Sequence, residues 1–117
     1  MHNFRELTIW KEAMEITKAT YSITKKFPAS ELYGLTSQIN RASVSIPSNI
    51  AEGSGRNGNN EFVHFLHISI GSCFELETQM ILACSFGYLE KNMLDSFISK
   101  LNILEKMTNT LISKIKK

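Results

Sequence analysis

The residues whose types and spacing could bind or react lie mainly in one segment, RASVSIPSNIAEGSGR, at positions 41–56. On a helix, positions 41, 45, 48, 52 and 56 share one face because three or four residues separate each from the next. This face carries Arg41, Ser45, Ser48, Glu52 and Arg56. Arginine and glutamate can form ion pairs across such a face, and small side chains let another helix come close. The segment therefore predicts a contact surface.

Three interpretations of this face stay open. Within the chain, antiparallel pairing of two helices about the turn at 54–59 would place Arg41 beside Glu75 as a structural ion pair, and Asn49 beside His64. A buried pair of that kind fixes one geometry without necessarily adding stability. The face is otherwise an oligomer or partner interface, or a ligand site.

Metal and enzyme chemistry find little support in the sequence. Glu61 and His64 form one Glu-x-x-His motif, whereas di-iron helical bundles need two such motifs and two further glutamates. Neither His67 nor His2 completes a second motif. The glycine-rich GSGRNG has no strand before it and no Lys-Ser/Thr after it, and no nucleophile elbow or Cys-His signature occurs. We therefore predict no catalytic residue, no metal site and no cofactor.

Basic side chains cluster on the first and last parts of the chain, although the net charge is only +2. Positions 57–89 contain no Lys or Arg and three Glu. The clusters are a solvated surface or a contact for the phosphate backbone of RNA or DNA. An aromatic groove with interleaved arginines, which would bind bases, is not evident. The candidate phosphate contacts are Lys11, Lys18, Lys25, Lys26, Lys114, Lys116 and Lys117.

Apolar residues recur at helical spacing in four segments, and no segment alternates as a strand does. Phe27-Pro28 should end the first helix, Gly87 should end the third, and Pro47 should kink the second. We therefore predict an all-α, antiparallel up-down four-helix bundle that forms one domain over 1–117. The first helix is expected over about Leu7 to Lys26, and the second from a cap at Thr36 or Ser37. The third should start from an N-cap near Asn60, and the fourth from about Asn92.

The sequence also predicts the compartment. Cys73 and Cys84 lie eleven residues apart on one predicted helix, about 16 Å along its axis, which is too far for a disulfide. Free thiols fit a reducing cytosol. The N-terminal segment lacks an apolar signal core, and no run of about 18 apolar residues occurs. We expect a cytoplasmic protein with no membrane partner.

Four stretches resemble a bacterial family of four-helix-bundle proteins of unknown function, the 23S ribosomal RNA intervening-sequence proteins. They are FRELTIWKEAMEIT, FPASELYGLTSQINRASVSIPSNIAEGSGR, GSCFELE and FGYL. The long pattern YGL-x-x-Q-I-x-R-A-x-x-S-I-P-x-N-I-A-E-G-x-x-R carries most of this resemblance. One departure is Asn40, because the family often has arginine at that place. The resemblance implies an antiparallel four-helix bundle, and some members are encoded inside insertions in 23S ribosomal RNA genes.

The family is similar to the accessory variability protein of diversity-generating retroelements, a basic homopentameric ring that binds nucleic acid and engages a reverse transcriptase. The resemblance implies a non-enzymatic homopentameric scaffold whose multivalent basic faces bind RNA or a nucleoprotein. The alternative is a protein-interaction module whose partner is another protein and whose lysines only aid solubility. Matching the family motif residue by residue gives this interface: Arg41, Ser45, Ser48, Asn49, Glu52 and Arg56.

Overall fold

Four long helices account for most of the computed structural model, which describes residues 2–116. Helix α1 packs against α2 and α4, and α3 packs against α2 and α4, so the helices enclose one core. Short connections reverse the chain between helices, and no strand occurs within 2–116. The predicted all-α four-helix bundle is therefore confirmed. The helices are α1 (Thr8–Thr24), α2 (Leu35–Ser54), α3 (Asn59–Ser85) and α4 (Lys91–Lys116).

The core is built from one apolar stripe on each helix. Ile16 of α1, Ile46 of α2, Leu76 of α3 and Leu101 of α4 are all buried. Their three- and four-residue spacing with other apolar side chains is the pattern that predicted the helices. Gly87 has a φ of 83°, so it ends α3 in the left-handed conformation, as predicted.

The start of α2 differs from the prediction. The helix begins at Leu35, so neither Thr36 nor Ser37 is its cap. Instead Glu31 accepts a hydrogen bond from the Leu35 backbone N–H at 3.2 Å, and the Tyr88 hydroxyl donates to the same carboxylate at 2.7 Å. Both hydrogen bonds lower the pKa of Glu31, and the bond from Tyr88 has the larger effect. A carboxylate from the preceding turn thus does the work of a capping side chain.

Pro47 lies inside α2, and the helix continues through it. Proline has no N–H, so the carbonyl of Ser43, one turn earlier, loses its helical donor. The Thr17 hydroxyl of α1 donates to that carbonyl at 2.8 Å, and Ser43 is fully buried. The Thr17–Ser43 hydrogen bond therefore links α1 to α2 at the point where the proline removes a hydrogen bond within α2. The kink at Pro47 itself stays a prediction.

We expect Thr17→Val to lower the free energy of unfolding by about 1–3 kcal/mol, because it leaves the buried Ser43 carbonyl without a donor. Urea unfolding at fixed protein concentration measures the loss. The change keeps the β-branched shape, so packing is preserved.

The background variant Pro47→Ala restores a backbone N–H at position 47 and supplies the control. In that background, Thr17→Val should cost clearly less, because the Ser43 carbonyl regains its helical partner. Equal costs in both backgrounds would show that the Thr17–Ser43 bond does not depend on the proline.

Candidate interaction face on α2 and α3

The α2–α3 seam is closed by small residues. A Cβ atom on Gly53 would lie 2.6 Å from the Cβ of Phe65, so the two backbones approach too closely for any larger residue there. The Ser69 hydroxyl donates to the carbonyl of Ile46 at 3.0 Å, and the hydroxyls of Ser45 and Ser72 are hydrogen-bonded to each other. Side chains beside this seam therefore have fixed positions.

The structure splits the predicted face of positions 41–56 in two. Ser45 and Asn49 are half-buried at the seam, and the Asn49 amide donates to the Ser45 carbonyl at 2.7 Å. This bond engages Asn49 within its own helix, and its contact with the exposed His64 stays a prediction. Arg41, Ser48, Glu52 and Arg56 lie on the solvent side.

Glu52 and Arg56 form an ion pair on the exposed side, with 2.6 Å between Arg56 Nη2 and Glu52 Oε1. The Arg56 guanidinium also lies 5.0 Å from the centre of the Phe65 ring. An exposed pair one turn apart contributes only about 0.3–0.5 kcal/mol to stability. These two side chains therefore remain available to a partner.

Arg41 and Glu75 line one shallow pocket with Gln38, Ala42 and Ser45. Helix α3 thus places Glu75 opposite Arg41, as antiparallel pairing requires. Within 2–116, however, the ion pairs closer than 4.0 Å are Glu15–Lys18, Glu52–Arg56 and Lys91–Asp95, each inside one helix. The Arg41–Glu75 ion pair is not among them, although the two side chains line the same pocket.

Sequence reasoning missed the outer side of α3. Phe74 is 57% exposed there, and Ile68, Ile81 and Leu82 are exposed as well. Positions 68, 75 and 82 are seven apart and form one row, and 74 and 81 form a second row about 110° further around the helix, so the two rows flank the outer side of α3. The signal was present in the sequence: α3 carries apolar residues beyond its inner stripe and has no Lys or Arg. A helix of that composition is typically covered on both sides.

The candidate phosphate contacts lie on other surfaces. Lys11, Lys18 and Lys25 are exposed along α1, and Lys18 pairs with Glu15 at 3.2 Å. Lys26 is exposed just after α1. Lys114 and Lys116 are exposed in the last turn of α4, and Lys114 lines a pocket with Thr8 at the start of α1. Lys117 lies outside the described residues.

Cys73, Glu77 and Glu105 are the other titratable groups of interest. Burial has the largest effect on the Cys73 thiol, and the nearby carboxylates of Glu105 and Glu77 add to it. Together they raise the pKa of the thiol to about 12. The thiol therefore stays protonated, and a protonated thiol is a poor nucleophile. Burial and then Glu77 raise the pKa of Glu105. Among residues 2–116, no three His, Cys, Asp or Glu side chains are arranged to hold a metal ion, and no helix could span a membrane.

Residues 5–110 match the family model of the 23S rRNA-intervening sequence protein. The chain belongs to this family. It is also similar to the crystal structure of a protein of unknown function from the S23 ribosomal protein family of Bacteroides thetaiotaomicron. The TM-score is 0.81 at 20% identity, and the match covers 90% of this chain and 98% of that one. At that identity the similarity shows the fold alone. No curated protein matches the sequence.

The family match contains both halves of the surface described above. Positions 41–56 of α2 and 68–82 of α3 lie within the matched residues. We call their exposed side the α2–α3 face, made of the polar residues Arg41, Ser48, Glu52 and Arg56 and the apolar residues Ile68, Phe74, Ile81 and Leu82.

The close approach at Gly53 can be tested by Gly53→Ala. We expect a loss of about 1–3 kcal/mol in the free energy of unfolding, because the new methyl group overlaps Phe65 and forces α2 and α3 apart. Chemical denaturation followed by circular dichroism measures the loss.

Gly71→Ala in the middle of α3 is the matched control, since a Cβ there meets no atom within 4 Å. Alanine should stabilise the helix by about 0.5–1 kcal/mol relative to glycine. Similar effects of the two substitutions would mean that the seam is not closed at Gly53.

Proposed function

We propose that this family member is a non-enzymatic, self-associating scaffold of the cytoplasm. In this proposal, its subunits join through the α2–α3 face and its lysines contact the phosphate backbone of RNA or of a nucleoprotein. The observation that carries the proposal is the outer side of α3, which exposes Ile68, Phe74, Ile81 and Leu82 without a single Lys or Arg between positions 57 and 89.

Burial of that side would be favourable. Full burial of a side chain such as Phe, Leu or Ile contributes about 1.5–3 kcal/mol. Soluble monomers rarely expose a contiguous apolar patch larger than about a few hundred Å². Ile103 on α4 is also 57% exposed, but the neighbouring outer positions, such as Ser99 and Lys106, are polar. A single exposed apolar residue is normal, whereas four exposed on one helix favour a partner.

The partner that we favour is another copy of the chain. The resemblance to the accessory variability protein supports a homopentameric ring. A ring needs a head-to-tail contact, in which the α2–α3 face of one subunit meets a different surface of the next. Assembly also strengthens the nucleic-acid proposal, because several weak basic faces acting together bind far more tightly than one.

A second candidate function has its own support. The α2–α3 face combines exposed apolar residues of α3 with Arg41, Glu52 and Arg56 of α2, and protein–protein interfaces contain such a mixture. A different protein could occupy it, and the lysines would then only aid solubility. This alternative predicts a polypeptide that co-purifies with the chain and no affinity for RNA.

Assembly is tested by the double variant Phe74→Ser with Ile81→Ser. We expect the wild type to have about five times the 13.3 kDa mass of one chain, and the variant to be a monomer because its contact surface has become polar. Size-exclusion chromatography with light scattering gives the mass, and circular dichroism checks that the monomer is folded.

Ile103→Ser is the matched control, because it removes an apolar side chain as exposed as Phe74 from a polar surface. It should leave the assembly intact, and Arg41→Ala with Glu52→Ala should weaken it. A monomeric wild type, or an assembly that only Ile103→Ser disrupts, would contradict the proposed interface.

Phosphate contact is tested by changing Lys11, Lys18 and Lys25 together to Gln. Affinity for a labelled single-stranded RNA, measured by fluorescence anisotropy over a salt series, should fall at least tenfold at low salt. The slope of log affinity against log salt should decrease by about 2, since each lost phosphate contact on a single strand removes about 0.7.

The control changes Lys91, Lys100 and Lys106 of α4 to Gln, which alters the net charge equally. That variant should keep most of the affinity. If both triple variants lose affinity to the same extent, net charge and not the α1 lysines governs binding.

A further inference from the structure

A concavity of about 640 Å³ lies where α1 ends and α2 begins. This volume falls within the range of about 300–1,000 Å³ that small-molecule sites occupy. Apolar side chains, Tyr21, Phe27, Pro28 and Leu32, form most of the wall. The pocket is distinct from the α2–α3 face, because none of the residues of that face lines it.

One wall offers a surface on which a flat ring can stack. Tyr21 is 47% exposed and lines the pocket, so part of its side chain is accessible to a ligand there. Aromatic side chains bind nucleobases by stacking, and such contacts tolerate any base because every base has a π-face. A tyrosine half-covered by its neighbours is held in place, which suits stacking better than a fully mobile ring.

The floor offers hydrogen bonds. The Thr24 hydroxyl donates to the Asn40 side-chain oxygen at 2.8 Å, which leaves the Asn40 NH₂ group to serve a ligand. Thr36 is 8% exposed, and its hydroxyl has no hydrogen-bond partner within the described residues. A ligand that presents carbonyl oxygens or ring nitrogens would use the Asn40 NH₂ group, and the edges of nucleobases carry those acceptors.

The rim and its surroundings are basic. Lys25 lines the pocket, Lys26 follows it, and no acidic residue lines it. Lys11, Lys18 and Lys25 follow one side of α1 at intervals of seven residues, about 10 Å each. Phosphates bound by these lysines would lead a strand to the pocket mouth. The sequence alone concealed this arrangement, since Tyr21 and Asn40 belong to different helices.

We propose that this pocket binds one unpaired nucleobase of a single-stranded nucleic acid, whose phosphates run along the α1 lysines. The base would stack on Tyr21 and hydrogen-bond to Asn40. This inference rests on the proposed nucleic-acid role and adds a preference for single strands, because a paired base cannot enter the pocket.

The test compares a labelled ten-nucleotide oligouridylate with an RNA duplex of the same length by fluorescence anisotropy. The single strand should bind at least tenfold more tightly. Tyr21→Ala should weaken binding of the single strand about tenfold with no change in the salt slope, whereas Lys25→Gln should lower the slope by about 0.7. Tyr33→Ala, which removes a 93% exposed tyrosine outside the pocket, should change neither affinity nor slope.

A second measurement separates the pocket from the wider role. Uridine 5′-monophosphate titrated into ¹⁵N-labelled full-length protein should shift the backbone amides of Tyr21, Lys25, Thr36 and Asn40. If RNA binds with a steep salt slope but the nucleotide shifts none of these amides and Tyr21→Ala is harmless, the pocket inference is overturned and the proposed function stands. If the nucleotide shifts them while no oligonucleotide binds, the pocket binds a base and the proposed function fails.

Discussion

Helix α2 contacts both of its neighbours through its own backbone, and the rest of the bundle depends on these contacts. On one side, the carbonyl that Pro47 deprives of a donor is bonded by Thr17 of α1. On the other side, the carbonyl of Ile46 accepts a bond from Ser69 of α3, and Gly53 admits the Phe65 side chain. Contacts to backbone atoms fix both the distance and the register between helices, whereas apolar packing alone tolerates sliding. Helix α4 completes the bundle by packing against the outer pair, α1 and α3.

The outer side of α3 exposes apolar surface that the fold of the single chain does not require. Serines and glycine at the seam let α2 and α3 approach closely. Leu66 and Leu76 fill the core, and Phe74 and Ile81 lie on the outside. A fold that only needed solubility would carry charged residues at the outer positions, as α4 does around Ile103. The surface proposed for assembly is therefore a feature additional to the folding of the single chain, and not a by-product of it.

Helices and their inner stripes could be predicted because three- and four-residue periodicity is local information. The start of α2 could not, since it depends on Glu31 and Tyr88, which are 57 positions apart. The opposition of Arg41 and Glu75 followed from the turn at 54–59, yet their pairing depends on side-chain conformation, and Glu75 lies 3.4 Å from the Gln79 amide instead. The outer side of α3 was missed because one inner apolar stripe is enough to predict a helix of a bundle. The pocket near Tyr21 joins residues of two helices, so no single motif reveals it.

The two surfaces proposed for function are separated by the architecture. Helices α1 and α3 stand diagonally across the bundle and are not adjacent, and the outer sides of diagonal helices point away from each other. An assembly that covers the outer side of α3 can therefore leave Lys11, Lys18 and Lys25 in solvent. The pocket lies at the corner between α1 and α2, on the same side as these lysines. Apolar burial and phosphate attraction would then act on opposite sides of one small bundle, and added salt would weaken the second while leaving the first intact.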